Sequence, residues 1–228
     1  MRLGINTFLF TSPFTNDSTK LFKQFKQWGA ETIEIPIEDP SHIDPAHVKR
    51  ELDKLGLVCG SVCACLGPDR DLRGTPKQQK DGLDYMKKVI DQMVVLDCPS
   101  LIGPVYSSVG RADAVPPAEY KKQWKTVVKN LKTLAAYAQK RGKQICMEPL
   151  NRFETDFINT CDQALKMVKA VGSSTSGCSG GSYGALTPVK SRISPARALA
   201  YSPLESRCSQ TSTGIFRYTS TNWPGGRL

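Results

Sequence analysis

Residues 145–154 read Ile145-Cys146-Met147-Glu148-Pro149-Leu150-Asn151-Arg152-Phe153-Glu154. The apolar run Ile145–Met147 is too brief for a helix and has the length of a buried strand. A carboxylate, Glu148, ends it, followed by a proline and the polar group Asn151, Arg152 and Glu154. In parallel α/β sheets, sites are built at the carboxyl ends of strands, so an acid there is placed to hold a metal or move a proton. On spacing alone, a solvated or arginine-paired carboxylate is the commoner outcome.

Working outward, residues 1–172 repeat one unit of short apolar strand, loop and capped amphipathic helix. Strands are expected at Leu3–Phe10, Thr32–Ile37, Leu57–Leu66, Ser100–Val105 and in the stretch around Ile145. The first helix carries Leu21, Phe22, Phe25 and Trp28 and closes on Gly29. Asp44-Pro45 caps the second, which stops at Gly56. Thr75-Pro76-Lys77-Gln78 and Thr160-Cys161-Asp162-Gln163 are capping boxes for the third and fifth helices. The third helix has Leu83, Met86, Val89, Ile90, Met93 and Leu96 along one stripe. The fourth starts near Pro116-Pro117 and shows Tyr120, Trp124, Val127, Leu131, Leu134 and Ala138. Five strand–helix units in succession predict an α/β fold with a parallel sheet. A TIM-type (β/α) barrel fits them, incomplete at about five units, with a doubly wound sheet as the alternative. No glycine-rich phosphate loop follows any strand, which weakens dinucleotide binding.

The pattern breaks after Gly172. Residues 173–228 hold 12 Ser and 6 Thr among 56 residues, with no sustained apolar period. Such a segment cannot bury enough apolar surface to offset chain entropy, and a disordered or aberrant tail is expected. The change at Gly172-Ser173 reads as a shifted frame, a retained intron or a mis-assembled gene.

Composition narrows the class. The apolar fraction of 39% and charged fraction of 23% describe a globular protein, and no run nears the ~18 apolar residues of a membrane span. The opening MRLGINTFLFTSPF reads as a first strand rather than a signal peptide, so a cytoplasmic location is expected. The eight cysteines are expected to be reduced and mostly buried; Cys59, Cys63 and Cys65 lack the spacing of paired zinc ligands. Of the net charge of +10, half falls in the tail, where six basic residues face only Glu205. The tail lacks the aromatic interleaving of a single-strand binder, so neither nucleic acid nor membrane is an expected partner.

The segments MEPLNRFET at 147–155, LGPDRDL at 66–72 and IGPVYSSVGR at 102–111 resemble the ketose 3-epimerases of the D-tagatose 3-epimerase and D-allulose (psicose) 3-epimerase group, within the xylose-isomerase-like barrels. LGINTFLFTSPF and EIPIEDP at 34–40 agree in order and spacing, and the likeness covers about residues 1–172. It implies a divalent metal, manganese or cobalt with magnesium a further option, held by two glutamates, an aspartate and a histidine. The implied reaction removes the proton beside the C2 ketone of a small-molecule ketose and returns one on the opposite face, with a carboxylate on each face. The match makes Glu148 a metal ligand and one of the catalytic carboxylates. Glu154 would then bind a substrate hydroxyl, and Tyr106 and Asn6 are weaker candidates for the pocket lining. A homodimer or tetramer is implied by the resemblance alone.

The chain also departs from that pattern. Its two histidines, His42 and His47, lie near the second helix, and residues 173–228 contain no His, no Asp and only Glu205, outside any apolar strand. An inactive chain is therefore expected, the alternatives being a related sugar or inosose isomerase or a non-catalytic barrel fragment. An endonuclease-IV-like nuclease would need many more histidines. Limited proteolysis is expected to leave a resistant core ending near Gly172; mass spectrometry showing a stable core that ends well beyond it would contradict that boundary.

Overall fold

The computed structural model describes residues 3–172 and the short strand Gly184–Ala185. The strands are β1 (Gly4–Asn6), β2 (Thr32–Ile37), β3 (Val58–Ala64), β4 (Ser100–Gly103), β5 (Gln144–Met147) and β6 (Gly184–Ala185). They form one sheet in sequence order, parallel from β1 to β5, with β6 antiparallel on β5. Between them run α1 (Leu21–Gln27), α2 (Pro45–Lys54), α3 (Pro76–Val95), α4 (Pro117–Lys140) and α5 (Cys161–Val171). This is the incomplete (β/α) barrel expected, with five parallel strands. The expectation of a disordered or aberrant tail and the position of Glu205 fall on residues outside those described.

Local signals set the helix bounds. Thr75 and Thr160 form the capping boxes with Gln78 and Gln163, and Asp44 accepts from the Ala46 amide ahead of Pro45. Gly172 ends α5 in the left-handed region at φ 76°, which an L side chain rarely adopts. The stripes then pack as their period dictates: Met86, Val89, Ile90 and Met93 of α3 and Val127, Leu131, Leu134 and Ala138 of α4 are fully buried. Ile33, Ile35, Ile37, Val62, Leu101, Ile145 and Met147 meet them from the outer face of the sheet, placing the core between sheet and helices.

Three strands are shorter than their apolar runs. β1 stops at Asn6, whose side chain accepts from the Phe8 amide and starts a 3-10 turn at Thr7–Leu9, leaving Phe8, Leu9 and Phe10 exposed. β3 ends at Ala64 and β4 at Gly103, where φ of 122° turns the chain away. The ends of β2 and β3 are tied by one buried hydroxyl: Tyr85 donates to the Ile37 carbonyl (2.5 Å) and accepts from the Cys65 amide (2.8 Å).

Tyr85→Phe strips two backbone groups of that shared partner at once. Urea unfolding is expected to show a loss of about 1–3 kcal/mol with an unchanged m value.

Candidate active site

Strand alternation separates two faces. On β2, Ile33, Ile35 and Ile37 face the helices, so Glu34 faces inward; on β5, Ile145 and Met147 face the helices, leaving Cys146 inward and Glu148 just past the strand end. Pairing places Asn6 beside Glu34 and Glu34 beside Ser61. Barrel strands tilt by about 36°, so residues at one height come from different registers, and Glu148 meets Glu34 across the mouth.

Glu34 is held from both sides. Its Oε1 accepts from Asn6 Nδ2 at 2.8 Å and its Oε2 from Ser61 Oγ at 2.6 Å. Burial raises its pKa above the usual carboxylate range, and the Ser61 hydroxyl offsets part of that. Glu148 is pushed from 4.5 up to about 8, first by burial and then by the charges of Glu34 and Glu154. Its amide donates to the Gly103 carbonyl at 3.0 Å.

Of the residues singled out in the sequence, the structure brings Asn6, Glu148 and Glu154 to this mouth. Asn6 reaches it as the partner of Glu34. Glu154 accepts from Asn151 Nδ2, and its carbonyl accepts from the Gly110 amide at 2.8 Å, which anchors the loop after β5. Tyr106 lies beneath the mouth. It is fully buried, and its hydroxyl lies 3.0 Å from both the Glu148 and Ile158 carbonyls, so it steadies the Glu148 backbone from below instead of lining the pocket.

Two features were not singled out from the sequence. Glu34 is one; its signal was a carboxylate alternating with three isoleucines, which places it on the face opposite the core. The other is a buried ionic cluster behind the mouth. Arg73 pairs with Asp156 at 2.5 Å and donates to the Arg111 carbonyl, while Arg111 pairs with Asp71 at 2.8 Å. Arg73 also stands over the Phe157 ring. The cluster fastens the loops after β3 and β4 to the loop carrying Glu154. It borders a rim cleft of about 770 Å³ lined by Asp71, Arg73, Ser108 and Arg111, whose charges are already paired with one another.

The described residues do not bring together a metal centre. His42 is exposed in the 3-10 turn Pro40–His42 and His47 sits on α2, in the outer layer. Among the described residues no three His, Cys, Asp or Glu side chains converge as ligands.

The sequence pattern of the family described as "Xylose isomerase-like TIM barrel" matches residues 22–177. A protein named probable ketose 3-epimerase from Synechocystis sp. is 26% identical over 174 residues, covering 75% of this chain and 59% of that protein. An L-ribulose 3-epimerase from Methylomonas sp. is 29% identical over 144 residues, covering 63% and 49%. The crystal structure of a Methylomonas D-allulose 3-epimerase in complex with D-allulose superimposes with a TM-score of 0.69 at 25% identity, covering 75% of this chain and 59% of that one. The chain thus spans about half to three-fifths of the length of these relatives.

The Glu148 shift carries a stability consequence with a definite sign. A carboxyl whose folded pKa exceeds its unfolded value binds more protons when folded, so its contribution is present at low pH. It is lost as pH rises from about 4.5 through about 8. Glu148→Gln is expected to flatten the decline in unfolding free energy between about pH 5 and about pH 8, read by urea titration at each pH; an equal slope in both proteins would contradict the shift.

Proposed function

The chain belongs to the xylose isomerase-like TIM barrel family, and on that premise we propose that it carries the amino-terminal part of a ketose 3-epimerase site and does not epimerise sugars by itself. The observation behind this reading is Glu148 at the barrel mouth, at the end of β5, in a chain whose relatives are named for ketose epimerisation. In this reading Glu148 is the carboxylate on one face of a small-molecule ketose, and Glu154 receives one of its hydroxyls. Tyr106 and Asn6 act indirectly, by holding the Glu148 backbone and the Glu34 side chain.

Inverting a stereocentre needs a second carboxylate on the opposite face and a cation to neutralise the enediolate. Neither the described residues nor the residue types available in 173–228 supply the aspartate and histidine that would complete a cation site with Glu148. The boundary at Gly172 is part of the proposal, since the unit pattern ends there. So is a cytoplasmic setting, supported by the unpaired thiols of Cys59, Cys63, Cys65, Cys98 and Cys146 among the described residues. Among those residues no helix is long and apolar enough to cross a membrane, and no nucleic-acid or membrane partner is proposed.

The purified chain, incubated with manganese and D-fructose, D-allulose or L-ribulose, is expected to give no epimer above an enzyme-free control by chromatography. Metal-dependent epimerisation by this polypeptide would overturn the inactivity. The lineage is tested separately by joining residues 1–172 to the remaining strands of the Methylomonas L-ribulose 3-epimerase. If that hybrid is active, Glu148→Gln is expected to lower kcat by about 10²–10⁴-fold; an unchanged kcat would remove Glu148 from the reaction.

A further inference from the structure

We propose that Cys63 and Cys65 form a reversible dithiol–disulfide modification site on the inner face of the sheet, with a low-molecular-weight disulfide such as glutathione disulfide as its oxidant. The inference does not depend on the epimerase reading. The two residues stand at positions i and i+2 about the end of β3, and the alternation of half-buried Cys63 and Cys65 with buried Ala64 and Leu66 puts both side chains on the inner side. Along a strand such Cα atoms are about 6.6 Å apart, at the upper end of what a disulfide spans. Here β3 ends at Ala64 and the Cys65 amide is drawn toward Tyr85, so the chain is already leaving the extended path. The Cys63 thiol donates to the Ala64 carbonyl at 3.7 Å, Cys65 is near enough to raise the Cys63 thiol above its ordinary range, and both cysteines are free and half-buried. Opposite them is Gly103, where an added Cβ would lie 3.5 Å from Cys63 Sγ; its lack of a side chain leaves the sulfur room to turn.

The other cysteines serve as internal references. Cys59 and Cys98 donate to the Ser61 and Ser100 carbonyls and are 2% and 0% exposed, so an oxidant in solution does not reach them in the folded chain. Cys146 lies two strands from Cys63, with Ile102 between, at about 9.5 Å and out of disulfide range.

The step balances without a cofactor. Cys65 attacks a sulfur of glutathione disulfide as its thiolate and expels a glutathione thiolate, because its proximity, together with burial, holds the Cys63 thiol well above the ordinary range. The second cysteine sulfur then displaces the remaining glutathione, forming the Cys63–Cys65 bond. Two electrons pass from the cysteines to the oxidant, and the two thiol protons end on two glutathione molecules. A bridge across so short a loop belongs to the strained, labile kind, so excess reduced glutathione reverses it.

The test uses the full folded chain in glutathione buffers of graded oxidised-to-reduced ratio, followed by acid quench, denaturation, alkylation and tryptic mass mapping. Cys59, Cys63 and Cys65 share the peptide 55–70. The expected result under oxidising buffer is a peptide with one alkyl group, on Cys59, and a loss of two hydrogens, returning to three alkyl groups under reducing buffer. In Cys63→Ser, Cys65 is expected to retain glutathione, because no second thiol displaces it. The proposal fails if wild-type Cys63 and Cys65 stay alkylatable or each carry glutathione. It fails equally if either is bridged to Cys178, Cys208 or a second copy, or if Cys65 of Cys63→Ser sheds its glutathione as fast as wild type.

Discussion

The site depends on two half-buried, inward-facing carboxylates whose charges oppose one another. Every influence recorded on Glu148 has one sign: burial, Glu34 and Glu154 all oppose its ionisation. A buried charge costs several kcal/mol unless it is paired, so such a group takes up a proton instead. The backbone sustains the arrangement. Glu148 follows a strand hydrogen-bonded along its length to β4, its own amide bonds Gly103, and the Tyr106 hydroxyl sits under its carbonyl. Glu34 has less freedom still, with an amide on one oxygen and a hydroxyl on the other.

The loops above the mouth are ordered by a different use of charge. Arg73, Asp71, Asp156 and Arg111 are paired in series, and Arg73 is almost wholly out of solvent. Pairs of this kind add little net stability, because desolvation offsets the attraction, but breaking one leaves an uncompensated buried charge. Their effect here is positional: three loops of separate strand–helix units take one arrangement, and Glu154 takes its place with them. Ring contacts among Tyr106, Tyr120, Trp124 and Phe157 fill the space behind that cluster and carry the apolar part of the same anchoring.

Much of this was legible in the chain because it is local. A Thr three residues before a Gln, a proline at the first helical position and a glycine past the last turn each act within one turn of backbone, and α2, α3 and α5 begin or end where those residues stand. Apolar periodicity likewise found the buried stripes of α3 and α4. Run length misled at β1: Phe8, Leu9 and Phe10 continue the apolar composition, yet the Asn6 side chain caps the next amide and turns the chain out of the sheet. β6 has two residues, too few for any period to show. At the site, Glu148 was readable as an acid after a strand. The company of Glu34 was not, since it arises from strand tilt between β2 and β5, a tertiary quantity. Tyr106 stood in a segment of the right spacing, but whether a strand-end tyrosine points into a pocket or under it depends on the turn at Gly103.

Apolar packing and the polar site occupy opposite faces of this sheet. The fully buried side chains Phe22, Phe25, Leu52, Met86, Leu131, Ile145 and Met147 all belong to the layer between strands and helices. The inner face carries Asn6, Glu34, Ser61, Cys63, Ser100, Gln144, Cys146 and Glu148, each only partly covered. At about 25 cal/mol per Å² of apolar surface removed from water, the first set supplies the bulk of the folding free energy and the second adds little. The helix-covered layer of residues 3–172 therefore has a core of its own. The five-unit sheet thereby holds Glu148 at the end of β5 on a backbone whose packing lies on its other face.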